Sequence, residues 1–371
     1  MKRLKVLHVL AEIKPSGAEM MLLTALQGFR TSGVDVVLLA TGENRGVVAD
    51  QFESAGCEVL HFPFSYTVGY FYRIWRLFLG SRWDVIHLHT ERANFYLGLM
   101  AILARKPVVR TIHNVFRFEG SLRWRRSIQR RILQWMGLRH VAIGPSVMQN
   151  EVSRFGINPA LVSNWYDDKR FRPMSDEQRK IERRKLGIDS DRQFVAVTVG
   201  NCSDIKNHKS ILHALALMHP DERPLYLHAG LEDPDGSERL LARELGLNLQ
   251  SEVRFLGAVG DVPKLLCAAD VYVMPSLFEG MSIASIEALA CGLLLLLGDV
   301  PGLRDLKRDY PGIIYCDTNP ESIAASIRKA MNMSLDARKL AVEGQADSAR
   351  RRFGVDQGVL GYTELYRGAV K

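Results

Sequence analysis

The sequence predicts an α/β protein with two doubly wound parallel sheets, each at the centre of its own domain. Short apolar strands alternate with amphipathic helices along most of the 371 residues, a pattern typical of parallel βαβ units. The alternation begins at strand 4–10 and begins again, after a polar stretch, at strand 194–199. A chain of this length with 47% hydrophobic residues can bury two cores of ordinary size.

The expected elements follow from apolar runs, helical periodicity and turn residues. In the first half we predict strands at 4–10, 34–41, 57–62, 84–88, 108–112 and 140–147, and helices at 17–33, 70–79, 94–103, 123–136 and 148–155. In the second half we predict strands at 194–199, 225–229, 252–256, 271–274 and 293–297, and helices at 210–218, from 282, at 317–333, 336–352 and 355–367. The charged run 176–185 is predicted to be an interdomain link.

Cysteine usage favours a reducing cytosol, and hydropathy predicts neither a signal peptide nor a membrane-spanning helix. Five cysteines without a C-x-x-C pair predict neither a disulfide framework nor a zinc site. The N-terminal apolar run is interrupted by Lys5 and His8, so we interpret it as a strand and not as a signal peptide. No run of about 18 uncharged apolar residues is available to cross a bilayer.

The positive charge lies in the first half of the chain. Residues 1–165 carry 21 Lys and Arg against 11 Asp and Glu, whereas the remainder is slightly acidic. Much of the excess is in one helical stretch, where tryptophan and isoleucine alternate with Arg123, Arg125, Arg126, Arg130 and Arg131. Such a helix can lie on an anionic membrane surface, although a solvated helix face is an equally simple interpretation. Nucleic-acid binding is disfavoured because no recognised module accompanies the charge.

Two carboxylates eight residues apart mark the main candidate site. A buried strand at 271–274 leads into a loop with Glu279, and a helix capped by Ser282 carries Glu287 more than one turn further on. The backbone amides of Gly280, Met281 and Ser282 would lie at the helix start, where phosphate binds. We therefore expect a nucleotide-diphosphate ligand; the alternative is a capped core helix with two solvated glutamates.

The stretch Asp261–Gly292 resembles the E-x7-E signature of the family-4-like (glycosyl transferases group 1) retaining nucleotide-sugar glycosyltransferases of GT-B fold. The resemblance implies two Rossmann-like domains facing each other across a cleft, with the acceptor on residues 1–173 and the donor on residues 174–354. The last helix, 355–371, would cross back to the first domain. It further implies that Glu279 holds hydroxyls of the donor sugar and that Glu287 holds the ribose.

Further donor contacts are implied by the loop that follows strand 194–199. Gly200 and Lys206 match the family's diphosphate loop, but Asn201 stands where the family has arginine, which removes a bidentate donor. Gly257 and Val259 lie where the family places main chain against the nucleobase.

The first half offers a glycine loop and three histidines at predicted strand ends. Gly17 resembles one glycine of the family's N-terminal loop, and Ser16 replaces the other. His87, His89 and His113 can hydrogen-bond a sugar or close strand ends structurally. The resemblance favours His113 as a contact of the donor sugar.

Two further features bear on the resemblance: one residue that departs from a family motif, and one pair of aspartates that resembles a metal-binding motif. Trp165 replaces the glycine of the family's Asn-Gly motif that ends the first half. Asp233 and Asp235 form a D-x-D pair that could hold a divalent metal, but Asp-Pro-Asp is ordinary turn chemistry. We expect no metal and no other cofactor, because the resemblance implies a metal-independent mechanism.

The combined prediction is a retaining glycosyltransferase with His113, Lys206 and Glu279 at the catalytic centre. A UDP-sugar is the favoured donor and a GDP-sugar is possible. The acceptor would be a lipid-linked glycan in surface polysaccharide synthesis (exopolysaccharide, capsule or lipopolysaccharide), with the enzyme peripheral on the cytoplasmic face of the membrane. A nucleotide-sugar epimerase of the same fold and a weakly active scaffold subunit remain alternatives.

Overall fold

Buried apolar strands organise the chain around two parallel sheets. The computed structural model describes residues 2–80, 82–188 and 193–370. The chain divides into unit 1, Met1–Trp165 with Phe353–Lys371, and unit 2, Tyr166–Arg352. The boundary therefore lies at residue 165, whereas the sequence placed it at residue 173.

Unit 1 contains a seven-stranded parallel sheet in the order β3-β2-β1-β4-β5-β6-β7. Its elements are β1 Leu4–Leu10, α1 Gly17–Thr31, β2 Val34–Ala40, α2 Ala49–Ser54, β3 Glu58–His61, α3 Val68–Leu79, β4 Val85–Leu88, α4 Asn94–Leu103, β5 Val108–Ile112, α5 Gly120–Trp135, β6 Arg139–Ala142, α6 Pro145–Asn150 and β7 Ala160–Leu161. A π-helical turn, Glu151–Phe155, continues α6.

Unit 2 contains a six-stranded parallel sheet in the order β10-β9-β8-β11-β12-β13. Its elements are α7 Asp176–Lys185, β8 Val195–Val199, α8 His208–Ala216, β9 Leu225–Ala229, α9 Ser237–Glu244, β10 Val253–Phe255, α10 Val262–Ala268, β11 Val271–Met274, α11 Ile283–Ala290, β12 Leu294–Gly298, β13 Ile314–Cys316, α12 Pro320–Asn332, α13 Leu335–Ala341 and α14 Gln345–Phe353. The last helix, α15 Val355–Val370, packs on α1 within unit 1.

Both sheets have a topological switch point, where the strand order reverses. In unit 1 the point lies between β1 and β4, and in unit 2 it lies between β8 and β11. All four strands are largely buried, as expected for parallel strands covered on both faces. Open α/β sheets bind ligands beyond the carboxyl ends of the strands at such a point. The loops that carry Gly17, His89, Gly200 and Glu279 all begin there.

The predicted interdomain link at 176–185 is wrong, because this run forms α7. Ser175 and Gln178 form a reciprocal capping box at its start. Arg183 is buried and donates hydrogen bonds to the Ala268 carbonyl oxygen and the Asp270 carboxylate. The helix was not predicted because its composition is polar, and its buried residue, which contacts the rest of unit 2, is an arginine.

Two other predicted elements differ from the structure, and several short elements were missed. The strand expected at 140–147 ends at Ala142, because Pro145 begins α6. The helix expected at 336–352 is two helices, separated at Gly344, whose φ is +69°. Five short elements were not predicted: α2, β7, α9, α10 and β13.

Trp165 is a buried anchor for α15. Its indole N–H donates to the Met21 carbonyl oxygen at 2.8 Å, and its ring packs edge-on against Tyr362. A Cβ on Gly358 would overlap the Trp165 ring, so the helix needs glycine at this position. The departure from the family's glycine at residue 165 is therefore matched by a glycine in α15.

Candidate functional site

The loops after β8 and β11 are joined by hydrogen bonds at the switch point of unit 2. The Leu277 amide donates to the Ile205 carbonyl oxygen at 2.8 Å. Asn207, in the left-handed conformation with φ of 58°, donates through its side-chain amide to the Pro275 carbonyl oxygen at 3.1 Å and to that of Thr318 at 2.8 Å. These bonds fix the position of Lys206 relative to Glu279, a role of Asn207 that the sequence analysis missed.

Lys206 and Glu279, both predicted from sequence, form a direct ion pair. The Lys206 ammonium donates to Glu279 Oε1 at 2.7 Å, and the two side chains are 26% and 14% exposed. Gly200 lies beneath the Lys206 stem, since a Cβ there would stand 3.7 Å from Lys206 Cε. An ammonium group has three donors, so Lys206 can hold Glu279 and still bind phosphate oxygens.

The backbone of Glu279 is fixed by the loop that follows β12. The Glu279 amide donates to the Pro301 carbonyl oxygen at 3.4 Å. Gly302 has φ of +86°, and a Cβ there would overlap the Glu279 carbonyl group. A side chain at residue 302 would therefore displace Glu279.

Helix α11 begins as predicted, with Ser282 as its N-cap. The Ser282 hydroxyl accepts from the Ser285 amide at 3.2 Å. Gly280, Met281 and Ser282 are buried and directly precede the first helical residue, Ile283. The N-terminal end of the helix dipole thus lies next to the loop that carries Glu279.

Glu287 is the fifth residue of α11 and is half-buried. Burial raises the pKa of its carboxyl group to about 8, although the nearby charge of Arg170 acts in the opposite direction and Asp167 adds to the increase. At neutral pH this carboxyl group is mainly protonated in the ligand-free protein, so it can donate as well as accept hydrogen bonds.

Three predicted residues follow β8 and β10, which lie on either side of β9: Gly200, Asn201 and Gly257. The Asn201 side-chain oxygen accepts from the Leu231 amide at 2.9 Å. The Gly230 amide donates to the Gly257 carbonyl oxygen at 2.9 Å. Asn201 thus ties two loops together, and Val259 is half-buried two residues beyond Gly257.

Histidines from three strands form a hydrogen-bonded row in unit 1. His113 Nε2 lies 3.0 Å from His89 Nδ1, and His89 Nε2 lies 3.0 Å from His8 Nδ1. Burial lowers the pKa of His113 to about 4 and that of His8 to about 3. His113 is therefore a neutral hydrogen-bonding group at physiological pH. From the sequence, His8 is only a break in an apolar run, because no local pattern indicates its partner 81 residues away.

His87 is structural, one of the alternatives left open by the sequence. Its two ring nitrogens lie 2.7 Å from the Tyr366 hydroxyl and 2.7 Å from Thr111 Oγ1. Thr111 Oγ1 in turn lies 2.7 Å from the Tyr362 hydroxyl. Both tyrosines come from α15, which is therefore bound to the sheet by polar as well as apolar contacts.

Gly17 opens α1 and is exposed at the carboxyl end of β1. The loop before it is held against Gly46: the Ile13 amide donates to the Arg45 carbonyl oxygen at 3.2 Å, and the Val48 amide donates to the Ile13 carbonyl oxygen at 3.3 Å. Gly17 is thus exposed beyond a loop whose position is fixed by backbone hydrogen bonds.

Four of the five arginines predicted for a membrane surface keep some exposure, but Arg130 does not. Arg123, Arg125 and Arg131 are exposed, and Arg126 is half-buried. Arg130 is 1% exposed and donates to Glu151 at 2.9 Å and to Glu91 at 3.2 Å. The assignment of Arg130 to a membrane surface is therefore wrong, because helical periodicity turns it towards the core between exposed neighbours.

Large apolar side chains surround the exposed arginines of α5. Trp124 and Trp135 are 73% and 87% exposed, and Ile128 and Ile132 line a shallow apolar groove beside them. A second shallow apolar groove lies between α3 and α4, lined by Val68, Phe71, Tyr72, Trp75, Met100 and Leu103. We call the surface formed by these two grooves and by the exposed tryptophans and arginines of α5 the aromatic-basic face. Its main exposed side chains are Trp124, Trp135, Arg123, Arg125 and Arg131. Within the described residues, no helix has the length and hydropathy needed to cross a membrane.

The D-x-D pair lies in the turn that precedes α9. Asp235 Oδ1 accepts from the Ser237 amide at 3.0 Å, and Asp233 Oδ2 accepts from the Ser237 hydroxyl at 3.3 Å. Both carboxylates thus have the turn chemistry that the sequence indicated.

Comparison with known proteins identifies the class of enzyme. Residues 178–347 match the model of the glycosyl transferases group 1, and residues 15–170 match that of glycosyltransferase family 4. Over 98% of this chain, the fold superposes on all of Alr3699/HepE from Anabaena, solved in complex with UDP and glucose, with a TM-score of 0.81 and 18% identity. The fold is GT-B, and the protein is a glycosyltransferase.

Two curated relatives are similar to the chain in sequence. The UDP-Gal:alpha-D-GlcNAc-diphosphoundecaprenol alpha-1,3-galactosyltransferase of Escherichia coli is 24% identical over 65% of this chain and 64% of its own length. The putative glycosyltransferase EpsF of Bacillus subtilis is 27% identical over 80% of this chain and 79% of its own. The chain belongs to the group 1 glycosyltransferases, and the comparisons support a nucleotide sugar as its donor.

Proposed function

We propose that the protein transfers a hexosyl group from a nucleotide sugar to a lipid-linked glycan, with retention of the anomeric configuration and without a metal ion. The observation that carries the proposal is the Lys206–Glu279 ion pair beside Gly200 at the switch point of unit 2. A UDP-sugar is the favoured donor, in keeping with the UDP named for the Escherichia coli relative and for the Anabaena structure. A GDP-sugar is the second possibility.

Each part of the donor has a proposed partner in unit 2. Lys206 and the backbone around Gly280 to Ser282 stabilise the diphosphate as it departs, because a cation and a helix N-terminus both favour developing negative charge. Glu279 accepts hydrogen bonds from hydroxyls of the transferred sugar, and Glu287 binds the ribose. The main chain from Gly257 to Val259 contacts the nucleobase.

The proposed reaction is a same-face displacement with an oxocarbenium-like centre. The bond between the anomeric carbon and the diphosphate oxygen breaks as the acceptor oxygen forms its bond to that carbon. The departing diphosphate oxygen takes the acceptor proton, so no separate carboxylate nucleophile is required. His113, neutral at physiological pH, stays a predicted contact of the donor sugar, and Gly17 stays a predicted phosphate contact.

The aromatic-basic face supports a lipid-linked acceptor. Trp124 and Trp135 present large amphipathic rings next to the exposed Arg123, Arg125 and Arg131. This combination favours the headgroup region of an anionic membrane, where arginine meets phosphate and tryptophan meets the acyl boundary. The Escherichia coli relative is named for a diphosphoundecaprenol acceptor, which agrees with this choice. We propose peripheral membrane contact and a place in surface polysaccharide assembly, such as lipopolysaccharide.

A thermal-shift screen with UDP, GDP, ADP and CMP and their common sugars, with and without Mg²⁺, tests the donor site. A nucleotide at a hundredfold its Kd stabilises the protein by about 2.7 kcal/mol, which is several degrees for units of this size. We expect a selective shift with uridine nucleotides that is the same with and without Mg²⁺. A shift that requires Mg²⁺ would contradict the metal-independent mechanism.

Turnover with the selected donor then tests the reaction itself. NMR of the glycoside product should show the anomeric configuration of the donor, and inversion would overturn the retaining mechanism. Incubation of the donor alone followed by analysis for an epimerised sugar tests the epimerase alternative. Donor that binds but is never consumed with any lipid-linked acceptor would favour a scaffold subunit.

A further inference from the structure

Four chemically reactive side chains meet inside unit 2, and one of them lies within the donor loop. Cys202 follows β8, His208 opens α8, His228 lies in β9 and Glu238 lies in the first turn of α9. Their exposed fractions are 9%, 2%, 0% and 3%. The sequence spacing C-x5-H-x19-H-x9-E matches none of the zinc spacings considered in the sequence analysis, so only the fold reveals the cluster.

The four side chains are close enough to share one ion. One ligand atom from each lies within 4.8 Å of those of the other three. Cys202 Sγ lies 2.5 Å from Glu238 Oε2, and His208 Nδ1 lies 3.4 Å from Glu238 Oε1. His228 Nε2 is 3.9 Å from Cys202 Sγ. The edges of a tetrahedral zinc site with these ligands measure about 3.4 Å, so small side-chain shifts suffice.

The histidines carry buried nitrogens that the protein leaves unpartnered. Among the described residues, His208 Nε2 and His228 Nδ1 have no hydrogen-bond partner, and His208 Nδ1 has only the 3.4 Å contact with Glu238. A buried polar atom without a partner costs about 1–3 kcal/mol, so two in one cluster are unfavourable unless a ligand satisfies them. His228 Nε2 lies 2.9 Å from the Gly200 carbonyl oxygen, a backbone contact that orients the ring and leaves Nδ1 as the nitrogen that can bind the ion.

We propose that Cys202, His208, His228 and Glu238 bind one Zn²⁺ ion. A thiolate and a carboxylate together neutralise the charge of the ion, and two neutral imidazoles complete a tetrahedral set of sulfur, nitrogen and oxygen ligands. On binding, the Cys202 thiol loses its proton to solvent and the sulfur lone pair forms the bond to zinc. With four protein ligands the site is closed, so the ion has a structural role and takes no part in sugar transfer.

The ion would stiffen the support of the donor loop. Its ligands come from the segment that follows β8 and from α8, β9 and α9. The ion would therefore connect the donor loop, through Cys202, to three neighbouring elements of unit 2. Gly200 and Lys206 lie in that segment. Loss of zinc is therefore expected to lower the melting temperature and to weaken nucleotide binding secondarily.

Metal analysis of the full-length protein, purified without a histidine tag, is the first test. We expect about one zinc per chain after gel filtration in a reducing buffer. Cys202→Ser and His208→Gln should lose most of it, whereas Cys267→Ser, a buried cysteine of the same unit that is outside the cluster, should retain it. Equal zinc content in Cys202→Ser and Cys267→Ser would overturn the proposal.

Cobalt substitution keeps the test decisive if the variants fold poorly. Co²⁺ added to zinc-free wild-type protein should give the visible bands of tetrahedral cobalt and a thiolate-to-cobalt charge-transfer band, with saturation at one equivalent. Absence of these bands in folded, reduced protein would show that the cluster is only a metal-free set of buried hydrogen bonds. Neither readout uses sugar transfer, so failure of the zinc site and failure of the glycosyltransferase mechanism are distinguishable.

Discussion

The Lys206 ammonium group donates a hydrogen bond of 2.7 Å to Glu279, although 72 residues separate the two in the chain. The pair depends on Asn207 and Leu277, which join the loops after β8 and β11. It places Lys206, the predicted cation of the donor loop, beside the first acid of the E-x7-E stretch. The ion pair thus connects two predictions that the sequence made separately.

Replacement of Lys206 should weaken binding of the diphosphate. Because a charge-assisted hydrogen bond contributes about 1.5–3 kcal/mol, Lys206→Met should raise the Kd of the nucleoside diphosphate by roughly 10- to 150-fold in calorimetry. Lys209→Met is the matched control, because that lysine is 44% exposed and stands 3.8 Å from Asp204. Similar nucleotide affinities for the two variants would show that Lys206 does not bind the diphosphate.

Glu279→Gln should mainly affect turnover. The amide still accepts a hydrogen bond from Lys206 but lacks the negative charge that would stabilise an oxocarbenium-like centre. We expect kcat to fall by at least tenfold with little change in nucleotide Kd. If kcat is unchanged and only the nucleotide affinity falls, Glu279 acts through Lys206 alone.

The carboxyl group of Glu287 should make stability depend on pH. Its pKa is raised to about 8 by burial, so the folded protein holds a proton that the unfolded chain releases near pH 4.5. Stability from this group is present at low pH and is lost as the pH rises towards 8, by at most about 1.4 kcal/mol per pH unit. Melting temperatures of the wild type should therefore fall relative to those of Glu287→Gln between pH 5 and pH 8.5. A constant difference would contradict the raised pKa.

Glu287→Ala should also weaken donor binding. We expect the donor KM to rise by roughly one to two orders of magnitude, equivalent to about 1.4–2.8 kcal/mol, because the ribose loses its hydrogen-bond partner. Steady-state kinetics at saturating acceptor measure this directly. Unchanged donor kinetics would show that the ribose does not contact Glu287.

The buried Arg130 should contribute to the stability of unit 1 and not to membrane binding. Removing one partner of a buried ion pair leaves an uncompensated charge, so Arg130→Ala should lower the stability of unit 1 by about 3–5 kcal/mol. Arg123→Ala, on the exposed side of the same helix, should change stability by less than about 0.5 kcal/mol. Denaturant unfolding of the two variants measures the difference, and equal effects would contradict the assignment of Arg130 to the core.

Vesicle binding tests the aromatic-basic face. A variant with Arg123, Arg125 and Arg131 changed to serine should bind anionic vesicles at least tenfold more weakly in co-sedimentation, since each arginine near the surface contributes about 1 kcal/mol. The control changes three exposed arginines of unit 2, Arg243, Arg308 and Arg351, and removes the same net charge. Equal loss in the two variants would indicate a non-specific effect of charge.

The alternation of apolar strands with helices determined the fold class, because burial on both faces of a parallel sheet requires that pattern locally. The stretch from Pro275 to Gly292 likewise determined the loop position of Glu279, the cap at Ser282 and the helical position of Glu287. Each of these depends on residues only a few positions apart, and such interactions can be read along a chain.

Tertiary structure decided which distant side chains meet. The row from His8 through His89 to His113, the pairing of Arg130 with Glu151 and Glu91, and the cluster around Cys202 join residues from separate strands and helices. Helix α7 was missed for the same reason, since its stability depends on Arg183 meeting Asp270. All of these contacts depend on the order of the strands and on how the helices pack against them. Neither property can be predicted from residues that are close together in the chain.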